Sequence, residues 1–111
     1  MTTKMTRYSS VAVLASNEEI GGEALPTFTD KADLCIQDGC PNIVVDCETV
    51  PSVDSNGLEF LLDLQDRCED LLGAVKLCNL DDTLKTVFRI TRLQRRFEIF
   101  DDLDSAVRSF G

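Results

Sequence analysis

The 111-residue sequence contains no histidine and no tryptophan, and only one tyrosine. Without an imidazole, a Ser-His-Asp triad, a histidine-containing zinc site and imidazole acid–base catalysis are all excluded. No glycine-rich loop ends in Lys-Ser or Lys-Thr, so nucleotide binding by that route has no support. Eighteen apolar residues never run together, and no apolar stretch follows Lys4 and Arg7 as it would in a secretory leader. The expectation is a soluble, cytoplasmic protein without membrane insertion. Cations are scarce as well: 11 Lys and Arg stand against 20 Asp and Glu, for a net charge of -9. Nucleic-acid binding draws its affinity from cations that neutralise phosphates, so no nucleic-acid partner is expected. The one basic cluster, Arg89, Arg92, Arg95 and Arg96, reads as a local patch for an acidic partner or as a solvated face.

The five cysteines are odd in number and lack CxxC spacing, which argues against disulfides and metal sites in favour of small core residues. Cys40, beside Gly39 and Pro41, is the candidate for an exposed thiol. Asp81-Asp82 and Asp101-Asp102 resemble magnesium ligands, but each pair stands at a predicted helix start, where aspartate caps backbone amides. No catalytic residue, cofactor or metal site is expected, and the chain reads as a non-enzyme.

What is present is an alternation of short apolar runs with amphipathic segments. The length suits one core, so residues 1–111 are expected to form one domain. Strands are predicted at 2–7, 11–15, 42–47, 74–78 and 97–100, the first as a polar edge. Helices are predicted at 23–37, with Pro26 in the first turn and Gly39 as the stop, from about 56 to Gly73, and after Asn79 or Asp81. A short last helix capped by Asp101 should turn Leu103, Ala106, Val107 and Phe110 inward. The fold class is α/β, a mixed four- to five-stranded sheet with helices largely packed on one side.

The chain is organised around residues 42–71. A β-branched strand, Asn42-Ile43-Val44-Val45-Asp46-Cys47, runs through a small-residue turn into a helix whose apolar side is read as Leu58, Leu61, Leu62, Cys68 and Leu72, with Gln65 the polar exception. That turn lies at the carboxyl end of its strand, where α/β proteins gather functional groups. It is Asp54-Ser55-Asn56-Gly57, and its one hydroxyl belongs to Ser55. Asn56 with Glu59 makes a capping box, and Ser55 is a second candidate for the cap. In either register the Ser55 hydroxyl lies beside first-turn amides that favour an anion, although both residues could equally do nothing but cap the helix.

The stretch Asn42-Ile43-Val44-Val45-Asp46, then Val53-Asp54-Ser55-Asn56-Gly57-Leu58, resembles the STAS domain of the anti-sigma factor antagonist family, where a strand enters an Asp-Ser-Ser-Gly-Leu turn. The similarity continues through Ala74–Cys78, Thr91-x-Leu93 and Phe97-x-Ile99-Phe100-Asp101. The resemblance implies a phosphorylation switch. A partner that is both anti-sigma factor and serine kinase phosphorylates Ser55; the unphosphorylated form binds that partner and frees a sigma factor, and a serine phosphatase acting on phospho-Ser55 restores it. Carried over by residue, Asp54 supports recognition or phosphotransfer, Gly57 allows close approach of the partner's backbone, and Asp54, Ser55, Asn56, Gly57, Leu58 and Glu59 form the partner-binding stretch. In two places the chain departs from the family pattern: Gly21 stands where Gly-Glu-Leu-Asp has its aspartate, and Arg92 where Thr-Gly-Leu has its glycine. These leave an alternative, a STAS docking or scaffold subunit of a signalling complex or lipid transporter without a sigma partner. Whether the chain dimerises is left open.

Overall fold

The computed structural model describes residues 3–110. Strand β1 (Lys4–Tyr8) turns back into β2 (Val11–Ala15); a 3-10 turn at Gly22–Ala24 leads into α1 (Leu25–Gln37), then β3 (Asn42–Asp46) and α2 (Ser55–Asp70). Strand β4 (Ala74–Cys78), α3 (Asp82–Ile90), a 3-10 turn at Leu93–Arg95, β5 (Glu98–Phe100) and α4 (Leu103–Arg108) follow. The five strands lie in the order β1-β2-β3-β4-β5, antiparallel between β1 and β2 and parallel thereafter. The polar edge strand predicted at 2–7 is β1, shifted toward Tyr8; Thr2 lies outside the described residues.

Helices α1, α2 and α3 share one apolar layer on the sheet. Phe28, Ala32 and Cys35 from α1, Leu61, Leu64 and Cys68 from α2, and Leu84 and Phe88 from α3 meet Ala12, Leu14, Ile43, Val45, Val75 and Leu77. Each of these larger side chains contributes about 1.5–3 kcal/mol by leaving water. Helix α4 is the exception to one-sided packing. Its Ala106, with Leu103, Val107 and Phe110 around it, covers Val11, Val13, Val44 and Cys78 on the other face. Period-2 alternation explains the split, because neighbouring residues of β2 and β3 point to opposite layers.

Lys76 is buried in that second layer. Its Nζ donates to Ser109 Oγ at 2.9 Å and lies 4.2 Å from the Phe110 ring centroid, so the far end of α4 is tied to the sheet by a cation. Gln65, the polar exception on α2, is buried too. Its Oε1 accepts from Val75 N–H at 2.6 Å, and its Nε2 donates to the carbonyls of Val75 at 3.1 Å and Arg96 at 2.6 Å. Strand β5 begins opposite Lys76, so the Gln65 amide completes the β4 ladder where β5 is too short.

Several local expectations need correction. Leu64, absent from the apolar side as read from the spacing, belongs to the core, whereas Leu72, counted in it, is 97% exposed. The helix stop beyond α2 is Leu72, which takes the left-handed conformation at φ 65°; Gly73 is needed because a Cβ there would overlap the Pro41 carbonyl. The last helix is capped by Asp102, not Asp101: its carboxylate accepts from Ser105 N–H at 2.7 Å, and that bond holds its pKa below the usual value. Cys40 is not an exposed thiol. All five cysteines are free and buried, and Cys40 Sγ donates to the Ser10 carbonyl at 3.1 Å.

Candidate functional site

At the carboxyl ends of β2 and β3 two loops are stitched together. Val53 pairs with Ile20 as an isolated parallel bridge, Ile20 N–H donates to the Ser52 carbonyl at 3.0 Å, and Asp54 N–H to the Ile20 carbonyl at 3.3 Å. Side chains reinforce the seam. Thr49 Oγ1 donates to the Ser16 carbonyl at 2.9 Å and Ser52 Oγ to Glu19 Oε2 at 2.8 Å. The turn before α2 is therefore held from both sides before the helix begins.

Asp54 is the N-cap of α2, which corrects the expectation that Asn56 or Ser55 fills that position. One carboxylate oxygen accepts from Gly57 N–H at 2.8 Å and the other from Gly22 N–H at 2.9 Å. A carboxylate takes both amides at once, which a carboxamide oxygen and nitrogen cannot. The second amide comes from 32 residues earlier, and residue spacing near the turn gives no sign of it. The capping box with Glu59 does not form; that side chain is exposed and makes no hydrogen bond among the described residues.

The two glycines are shaped by the same arrangement. Gly21 sits at φ 154°, a conformation open in practice only to glycine, and a Cβ on it would overlap the Asp54 carboxyl. An aspartate could not stand there with the Asp54 cap in place. Gly57 is buried and its Cα faces the Ile20 carbonyl, which any Cβ would overlap. At Gly57 a close backbone approach is already made within the chain, by the Ile20 carbonyl.

The remaining residues of the stretch fall into place around this frame. Ser55, the first residue of α2, is exposed, and its hydroxyl makes no hydrogen bond among the described residues; Asn56 and Glu59 are exposed and Leu58 is half-buried. The Ser55 and Asn56 amides are the open first-turn donors of the helix, since the cap takes Gly57 N–H and the Asp54 carbonyl takes Leu58 N–H. Among the described residues no lysine or arginine pairs with Glu18, Glu19, Asp54 or Glu59, so the surroundings are anionic. Chemically, the site offers one free hydroxyl on a rigid helix start. The Asp54 carboxylate beside it is committed to two amides. Glu19, Ile20 and Gly22 are the supporting residues that reading the turn alone misses; the Gly21-Gly22 pair is the one local signal of a tight approach.

The family model of the STAS domain matches residues 2–106. No curated protein matches in sequence. Among solved structures, the protein TM1081 from Thermotoga maritima is similar at 21% identity, covering 96% of this chain and 92% of that one, with a TM-score of 0.90. The Bacillus cell fate determinant SpoIIAA in its phosphorylated form is similar at 19% identity, over 99% of this chain and 100% of that one, with a TM-score of 0.78. A sulfate transporter family protein from Wolinella succinogenes is similar at 19% identity, over 94% and 87% respectively, with a TM-score of 0.69. At these identities the likeness establishes a shared fold.

Proposed function

This chain belongs to the STAS domain family, and on that premise we propose that it is a cytoplasmic, non-enzymatic anti-sigma factor antagonist switched by phosphorylation of Ser55. The unphosphorylated form binds an anti-sigma factor that is also a serine kinase, and so releases a sigma factor. The observation that carries this reading is the exposed Ser55 hydroxyl, free of internal bonds, on a helix start fixed by Asp54. A fold neighbour, SpoIIAA, has been solved in both an unphosphorylated and a phosphorylated form, which is consistent with a switch on this fold.

In the proposed step Ser55 Oγ attacks the γ-phosphorus of ATP held by the partner, the bond to the bridging oxygen breaks, and ADP leaves. The hydroxyl proton goes to a base on the partner, because Asp54 is engaged by Gly22 and Gly57 amides. The phosphate adds nearly two negative charges to a rim already bearing Glu19, Asp54 and Glu59. Partner groups matched to a neutral hydroxyl are then repelled or blocked. The fold survives, since the Ser55 and Asn56 amides and the helix field favour an anion at that position. Partner contacts are assigned to Ser55, Asn56, Leu58 and Glu59, and a serine phosphatase resets the switch.

Titrations of wild type, Ser55→Ala and Ser55→Asp against the anti-sigma factor/kinase test this. Wild type and Ser55→Ala should bind alike and Ser55→Asp at least tenfold more weakly. Equal affinity of all three would remove the switch and leave a docking subunit.

A further inference from the structure

The basic cluster lies at the other end of the molecule. Helix α3 leaves the carboxyl end of β4 and must return to the amino end for β5 to pair in parallel, so its last turn and the following 3-10 turn sit opposite the Ser55 loop. Arg96 there pairs with Asp66 at 2.6 Å. Asp66 is eleven residues along α2 from Ser55, about 16 Å at the helical rise.

Three of the arginines form a continuous stair. Arg92 N–H donates to the Arg89 carbonyl at 3.1 Å, and Arg95 N–H to the Arg92 carbonyl at 3.2 Å. Lys85 precedes Arg89 by one helical turn on the same exposed face. From Thr83 to Phe97 there is no acidic residue at all, in a chain of net charge -9. Arg96 is occupied by Asp66 and Glu69, but Lys85, Arg89, Arg92 and Arg95 are exposed and form no ion pair or side-chain hydrogen bond among the described residues. Ile90, 72% exposed, stands beside them.

Arg92 adds an independent observation. Its backbone is left-handed at φ 64° and ψ 14°, where glycine would sit without strain and an L side chain does not. The local backbone would be better served by glycine, and the exposed Arg92 side chain forms no ion pair or side-chain hydrogen bond among the described residues. Strain kept for an outward-facing guanidinium points to use at the surface.

We propose that Lys85, Arg89, Ile90, Arg92 and Arg95 form a second docking surface, one that takes a short acidic segment of a protein partner with an apolar side chain set against Ile90. Arginine beside an exposed aliphatic residue suits a protein interface. A membrane or nucleic acid fits less well, because an extended polyanion would also meet Asp66, Glu69 and Glu98 at the margin of the patch and the remaining negative charge of the chain. This surface is separate from Ser55, so an acidic segment stays bound in both states of the switch.

The test is fluorescence anisotropy with a labelled peptide of alternating glutamate and leucine, on the full chain. Arg89→Glu with Arg95→Glu should weaken binding at least tenfold, and Ser55→Asp should change it less than twofold. Arg92→Gly separates function from fold: it should lower peptide affinity about threefold while raising the melting temperature. Unchanged affinity in the Arg89→Glu/Arg95→Glu variant would overturn the proposal. So would tighter binding of wild type to phosphatidylserine vesicles or single-stranded DNA than to the peptide, or charge-dependent self-association in sedimentation that accounts for the patch.

Discussion

Removing the Asp54 carboxylate should destabilise the protein more than truncating either exposed neighbour, Ser55 or Asn56. Asp54→Ala deletes the acceptor for Gly57 N–H at 2.8 Å and for Gly22 N–H at 2.9 Å. Losing an N-cap costs about 1 kcal/mol, and losing a second, charge-assisted bond to a backbone amide costs about 1–2 kcal/mol more. Together that is about 2–3 kcal/mol, a large share of the ~5–15 kcal/mol that holds a domain folded. With a urea slope of roughly 1–3 kcal/mol per M, the midpoint should fall by roughly 0.7–3 M. Asp54→Asn keeps one acceptor for Gly57 but turns an NH2 group toward Gly22 N–H, so it should lie between wild type and Asp54→Ala. Asn56→Ala should shift stability by less than ~0.5 kcal/mol, because Asn56 caps nothing. Urea unfolding followed by circular dichroism decides the matter. If Asn56→Ala costs more than Asp54→Ala, the placement of the cap and the rigidity claimed for Ser55 are both wrong.

Gln65→Leu should cost about 2–4 kcal/mol despite adding an apolar side chain, since it strands Val75 N–H and the carbonyls of Val75 and Arg96 in the interior; a urea midpoint within error of wild type would refute the ladder role. Burial pushes the Cys68 and Cys78 thiols up to about 12 from 9.0 and raises Cys47 as well. Above pH 9 the unfolded chain releases these protons while the folded one keeps them, so stability present below pH 9 should drain away as pH rises toward 12. Urea midpoints at pH 8 and pH 10 check the sign, and a thiol reagent at pH 8 should label the native protein slowly and the unfolded protein at all five cysteines.

Strands β2, β3 and β4 were legible because each is a short, β-branched apolar run between turn residues, and α1 and α2 because their apolar spacing is helical. The four-to-five-stranded mixed sheet and largely one-sided helices follow from that alternation. What was not legible depends on distant partners. Asp54 outcompetes Asn56 as cap because Gly22 arrives from 32 residues away; Gln65 enters the core because β5 stops short of Val75. Leu72 takes a left-handed conformation normally left to glycine because Gly73 is held against Pro41. The residue pattern of the turn pointed to Ser55, and the structure adds that its hydroxyl is exposed and unbonded among the described residues. At Gly57 the turn alone gives no sign that the backbone lying against it within the chain is that of Ile20.

The proposed switch is tested most directly by locating the phosphate. The chain, incubated with ATP and the proposed anti-sigma factor/serine kinase partner, should acquire a single phosphate that tandem mass spectrometry places on Ser55, and the purified phosphoprotein should bind that kinase at least tenfold more weakly than the unmodified chain while unfolding at a similar urea concentration. A phosphate on any other residue, or equal affinity with and without phosphate on Ser55, would contradict the account.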